Sequence, residues 1–164
     1  MFAVEVLIDD EMFQRAKRKA DDLGLLKNSI LGGKGNLAGF LGEEMFLKTF
    51  PGSFSENTYQ HDINYLGTKI EIKTVQTTVF PSLEFNCHVA AYNAKQRADR
   101  YVFARVLKSY ELGWLMGWMD VNDFKDLSRK ANKGDRDGDF VFLIDCFNLR
   151  YRELEPFYEL LETT

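Results

Sequence analysis

From residue 10 to residue 23, Met12, Phe13, Ala16, Ala20 and Leu23 recur at helical spacing, with Asp9 or Asp10 placed to cap the start and Gly24 to stop it. The pattern predicts a helix over 10–23. Leu37, Phe40, Leu41, Phe46, Leu47 and Phe50 predict a second over 37–50, capped by Asn36 and ended by Pro51-Gly52, after a glycine-rich turn at 31–36. The period then shortens. Strands are expected at 63–65 and 69–75, joined at Gly67, then at 83–90, and a short helix at 93–99. The apolar runs 101–107 and 114–119 read as interior strands. A helix over 120–131 capped by Asp120 or Asn122, a turn at 134–138, a strand at 140–145 and an amphipathic helix over 153–161 complete the chain. This order predicts an α/β (α+β) fold with a central mixed β-sheet flanked by helices.

Composition narrows the class. A length of 164 residues, 45% hydrophobic and 28% charged, suits one domain over 1–164 with a proper core. No apolar run approaches the roughly 20 residues of a membrane span. The first residues carry Glu5, Asp9, Asp10 and Glu11 rather than the basic start of a signal peptide. Cys87 and Cys146 are far apart and read as free thiols, so the expected compartment is the cytoplasm. A formal charge of −4 tells against a protein that coats nucleic acid non-specifically, although basic clusters occur at 15–19, 95–100 and 125–136.

The chemistry concentrates between His61 and Thr74. Strand alternation sends Ile70 and Ile72 one way and Glu71 and Lys73 the other, about 7 Å apart. If the turn is the two-residue Leu66-Gly67, Asp62 faces Glu71 across the hairpin. Two opposed carboxylates repel, and a hard divalent cation between them reverses the sign of that interaction. A lysine two residues along then orients or deprotonates a water and stabilises charge on a phosphate. In the preceding helix Glu43 and Glu44 both interrupt the apolar stripe, and periodicity does not choose between them.

Asp62, an eight-residue gap and Glu71-Ile72-Lys73 together resemble the active-site motif of the PD-(D/E)xK nuclease superfamily, and the likeness extends over residues 36–107. The resemblance implies a restriction-endonuclease-like core in αβββαβ order and a Mg²⁺-dependent deoxyribonuclease, with Mn²⁺ as a substitute. It implies that Asp62, Glu71 and the Ile72 carbonyl bind the metal, that Lys73 positions the attacking water, and that Glu43 (or Glu44) completes the catalytic set. Gln76 resembles the polar residue many members carry beyond the motif. His61 stands where the motif name has proline, and it is a candidate phosphate contact with Lys95, Gln96, Arg97 and Arg100. The expected partner is DNA and the expected mode endonucleolytic, with a homodimer as a candidate arrangement.

Rivals stay open. The chain could be a non-catalytic nucleic-acid-binding or assembly protein on the same fold, or a nuclease for RNA or branched DNA. A zinc set from Cys87, His88, His61 and Cys146 lacks the required spacing.

Overall fold

The computed structural model describes residues 3–24, 36–93 and 97–158. The first strand, β1 (Val4–Leu7), leads into α1 (Asp10–Leu23), whose N-cap Asp9 accepts a hydrogen bond from the Met12 amide at 2.9 Å and whose C-cap is Gly24. The second helix, α2 (Asn36–Thr49), is followed by β2 (Ser53–Ser55), β3 (Ile63–Tyr65) and β4 (Thr68–Thr77). Next come β5 (Asn86–Ala90), β6 (Arg100–Leu107), β7 (Leu112–Asp120) and α3 (Val121–Leu127). The chain continues through β8 (Arg129–Ala131), β9 (Arg136–Asp137), β10 (Phe140–Val141) and β11 (Cys146–Arg150).

The main sheet has six strands in the order β1-β7-β6-β4-β3-β2. It is mixed: β4 and β6 are parallel, and the other neighbours are antiparallel. One face packs on α1 and α2 through Met12, Ala16, Leu41, Met45 and Phe46 against Ile70, Ile72, Val102 and Leu115. The other face buries Tyr101, Phe103 and Met116 against Val121 and Phe124 of α3 and against a three-stranded sheet, β5-β11-β8. The protein is therefore a mixed α/β structure. No helix among the described residues is long and apolar enough to cross a membrane.

Several expectations need correction. The strand expected at 83–90 is β5, but it pairs with β11 in the second sheet and not with the hairpin. Of the helix expected at 93–99, residues 94–96 lie outside the described residues; Asn93 ends a 3-10 turn, Ala91–Asn93, and 97–99 are not helical. The αβββαβ order is thus interrupted, since the link between parallel β4 and β6 carries a strand of another sheet. The helix expected to reach residue 131 stops at Leu127, because Arg129, Lys130 and Ala131 pair with β11. Residues 151–153 form a 3-10 turn and Glu155 bridges to Trp118, so the helix expected from 153 begins only at Phe157. Residues 159–161 of that expected helix, and 31–35 of the expected turn, lie outside the described residues.

One packing detail fixes where α2 sits. A Cβ built on Gly42 would lie 1.9 Å from Thr74 Oγ1, so only glycine lets the helix approach β4 this closely. Gly42→Ala is expected to destabilise the protein by about 1–3 kcal/mol, the usual cost of overpacking. Urea unfolding checks it; an unchanged midpoint would mean that helix and strand are not in contact.

Candidate active site

The hairpin turn is Leu66-Gly67, with φ of 52° and 86°, a two-residue turn of the kind that matches strand twist. It sets the register Ile63↔Ile70. Pairing stops at Ile63, one residue before Asp62 would join the ladder. The Asp62 amide donates to the Ile70 carbonyl at 2.9 Å, and its carboxylate takes over the next ladder position by accepting from the Ile72 amide at 2.8 Å. Asp62 is thereby clamped against β4 beside Glu71. Lys73 Nζ donates to Glu71 Oε1 at 2.8 Å, and Glu71 is buried.

Gly42 brings α2 against Thr74, and the next residue, Glu43, is placed within the field of both Asp62 and Glu71. Glu44 turns away. Its Oε2 accepts from Arg15 Nε of α1 at 3.0 Å, so of the two helix acids Glu43 is the one that meets the hairpin carboxylates. Burial, then repulsion from Asp62, pushes the Glu43 carboxyl up to about 9; Lys19, 3.9 Å away, opposes this. Burial, then repulsion from Glu71, raises Asp62 to about 7, against the opposing Ile72 hydrogen bond and Lys73 charge.

Among the described residues, Glu43 Oε2 and Glu71 Oε2 are buried without a hydrogen-bond partner. Such atoms are costly unless something satisfies them. Among the described residues no three or more His, Cys, Asp or Glu side chains are placed so that together they could hold a metal ion as they stand. The donor chemistry nevertheless suits a hard divalent cation: mutually repelling carboxylates, two oxygens unsatisfied, and no sulfur or imidazole in the group.

The other candidates divide. The Ile72 side chain is buried in the core, and its amide is what holds Asp62. Gln76 shares the α1/α2 face with Ile72 and Thr74, opposite Glu71 and Lys73, and its Nε2 donates to the Tyr110 hydroxyl at 2.6 Å. It does not join the carboxylate group. His61 is buried, with one ring nitrogen on Glu56 and the other on Thr58, which leaves neither for a phosphate. Arg100 lies over the Trp118 ring at 4.3 Å and donates to Asp120 at 3.1 Å. The Arg97 side chain is exposed, whereas Lys95 and Gln96 lie outside the described residues. Cys87 and Cys146 are free, buried thiols.

Arg15 and Lys19, which the sequence shows only as part of the basic cluster at 15–19, ion-pair with Glu44 and Glu43. The available signal was their i,i+4 spacing beside the buried pair Met12 and Ala16. No protein-family model matches the chain, and no curated protein matches it either.

Proposed function

We propose that the protein is a metal-dependent nuclease of the PD-(D/E)xK, restriction-endonuclease-like kind, hydrolysing phosphodiester bonds of DNA. The observation that carries this is the gathering of Glu43, Asp62 and Glu71 from a helix and a hairpin, with buried unsatisfied oxygens, and with the Lys73 ammonium 2.8 Å from Glu71. In this reading Asp62, Glu71 and the Ile72 carbonyl hold Mg²⁺ or Mn²⁺, and Glu43 completes the set. A bound Mg²⁺ supplies Lewis-acid neutralisation of phosphate charge and eases deprotonation of water. Lys73 orients the attacking water and stabilises charge developing on the phosphate. Asp62, fixed by the Ile72 amide, keeps the group in register without reorganisation.

DNA is the proposed partner and the cytoplasm the proposed compartment, and exposed aromatics such as Phe54 and Phe80 are compatible with a homodimer. The ion pairs Lys73–Glu71 and Lys19–Glu43 support one rival, a non-catalytic nucleic-acid-binding or assembly protein that keeps the acids for structure. Incubating supercoiled plasmid, branched DNA and RNA with Mg²⁺ or Mn²⁺, against an EDTA control, separates the readings. Metal-dependent DNA cleavage is expected. Intact substrates under every metal condition would remove the enzyme.

A further inference from the structure

A cleft of about 680 Å³ opens beyond the Lys73 end of the site, between β4, β5, β6 and the β9–β10 hairpin. Val75 and Thr77 of β4 line it. They share the face of Lys73, and one side-chain step along a strand is about 7 Å, so the cleft begins next to the proposed reaction centre. The electrostatics agree, since the Lys73 charge is felt by His88 inside the cleft.

The lining is basic and aromatic together. Arg105 donates through Nε to the Tyr151 hydroxyl at 2.7 Å and through Nη2 to the Asn86 carbonyl at 3.4 Å, and lies over the Phe85 ring at 5.0 Å, which fixes its guanidinium and leaves Nη1 for a ligand. Lys108 lines the cleft and is exposed. The two acids of the wall are already engaged: Asp137 by Arg150 at 3.0 Å and Asn86 at 2.6 Å, and Glu84 by Arg152 at 3.6 Å. The positive charge of Arg105 and Lys108 is therefore what a ligand meets. Phe140, 44% exposed, offers an aromatic face. Among the described residues the buried His88 Nδ1 has no hydrogen-bond partner, and burial lowers the imidazole pKa, so the cleft wall carries a neutral ring here and not a third cation.

We infer that this cleft is a subsite for one unpaired nucleotide of the strand being cut, its phosphate on Arg105 and Lys108 and its base on Phe140. The inference rests on the nuclease reading and names its substrate class: nucleic acid with a single-stranded stretch at the cut. The volume lies in the range of sites for small molecules, and a duplex does not fit such a space. Cations along the backbone with an aromatic platform for the base are the usual recipe for single-strand binding.

The test is fluorescence anisotropy in EDTA with a labelled thymidylate decamer, a blunt hairpin duplex, and thymidine monophosphate as competitor. The wild type is expected to bind the decamer at least tenfold more tightly than the hairpin, with the monophosphate competing. Lys108→Glu should weaken decamer binding tenfold or more, and Phe140→Ala about fivefold or more, as loss of one stacked base implies. Both side chains are solvent-exposed, and circular dichroism checks that each variant folds; Lys108→Ala and Phe140→Leu replace any that does not. Equal binding of decamer and hairpin, or wild-type affinity in both variants, overturns the subsite. Cleavage with Mg²⁺ is run on the same preparations. Selective binding without cleavage keeps the subsite and removes the nuclease, while cleavage by a protein indifferent to both substitutions does the reverse.

Discussion

Lys73→Ala is expected to slow Mg²⁺-dependent DNA cleavage by about 10²–10⁴-fold while leaving metal binding in place. The ammonium sits 2.8 Å from Glu71 in a mostly buried position, where its charge and its protons act with little screening. On the nuclease proposal, removing it takes away the group that would orient water and meet phosphate charge, but none of the carboxylate oxygens. Loss in kcat with a retained Mg²⁺ effect on melting is therefore the signature. Stability should suffer in EDTA, because breaking a buried ion pair costs roughly 3–5 kcal/mol, and Mg²⁺ should offset that loss. Lys73→Arg separates two roles: arginine keeps the positive charge but does not give up a proton at any usable pH. Partial rescue by arginine assigns the effect to charge, and no rescue assigns it to proton transfer. Wild-type rates in Lys73→Ala would end the catalytic reading, whatever the metal does.

Without metal, the thermal midpoint is expected to fall as pH rises from about 5 to 8.5. Asp62 and Glu43 hold their protons more tightly in the folded protein, near pH 7 and 9, than in the unfolded chain, where carboxyls titrate near 4. The folded state then binds more protons than the unfolded state between those values, and stability declines with pH. The favourable contribution is complete below the ordinary carboxylate range and is lost as pH climbs toward the folded values. Mg²⁺ at pH 8 should oppose the decline. At about a hundred times its dissociation constant an ion adds roughly 2.7 kcal/mol, or about 5–10 °C for a chain of this size. Asp62→Asn keeps an oxygen for the Ile72 amide while removing one of the clustered charges. It should raise the metal-free midpoint at pH 8 and abolish the Mg²⁺ increment. Scanning calorimetry at three pH values with EDTA or Mg²⁺ decides this. A midpoint indifferent to both would mean that the carboxylates are not coupled.

The local parts of this site were legible in the sequence. Helix α1 runs over the expected residues because its cap, its apolar spacing and its terminal glycine all lie within the same segment. The Leu66-Gly67 turn and the alternation of isoleucines with Glu71 and Lys73 are equally local, and the hairpin follows them. Within the second helix, spacing left Glu43 and Glu44 equivalent. The choice fell to Arg15, 29 residues away from Glu44, and to the contact of Gly42 with Thr74.

Segments that pair with distant partners escaped the same reading. Strand β11, between an expected strand and an expected helix, forms because β5 and β8 lie on either side of it. Strand β8 looks helical in isolation, and its backbone bonds are claimed by β11. His61 is a different case: its partners Glu56 and Thr58 lie only five and three residues back, and what escaped the sequence was the irregular loop conformation that brings them onto both ring nitrogens. By itself, then, the sequence determined the elements whose hydrogen bonds and apolar faces close within a dozen residues, including the hairpin that carries Asp62, Glu71 and Lys73. The tertiary structure alone decided which helix acid meets that hairpin, which cations face it, and that a basic, aromatic cleft lies beside it. Those outcomes depend on charge and packing between segments whose separation along the chain carries no information about their separation in space.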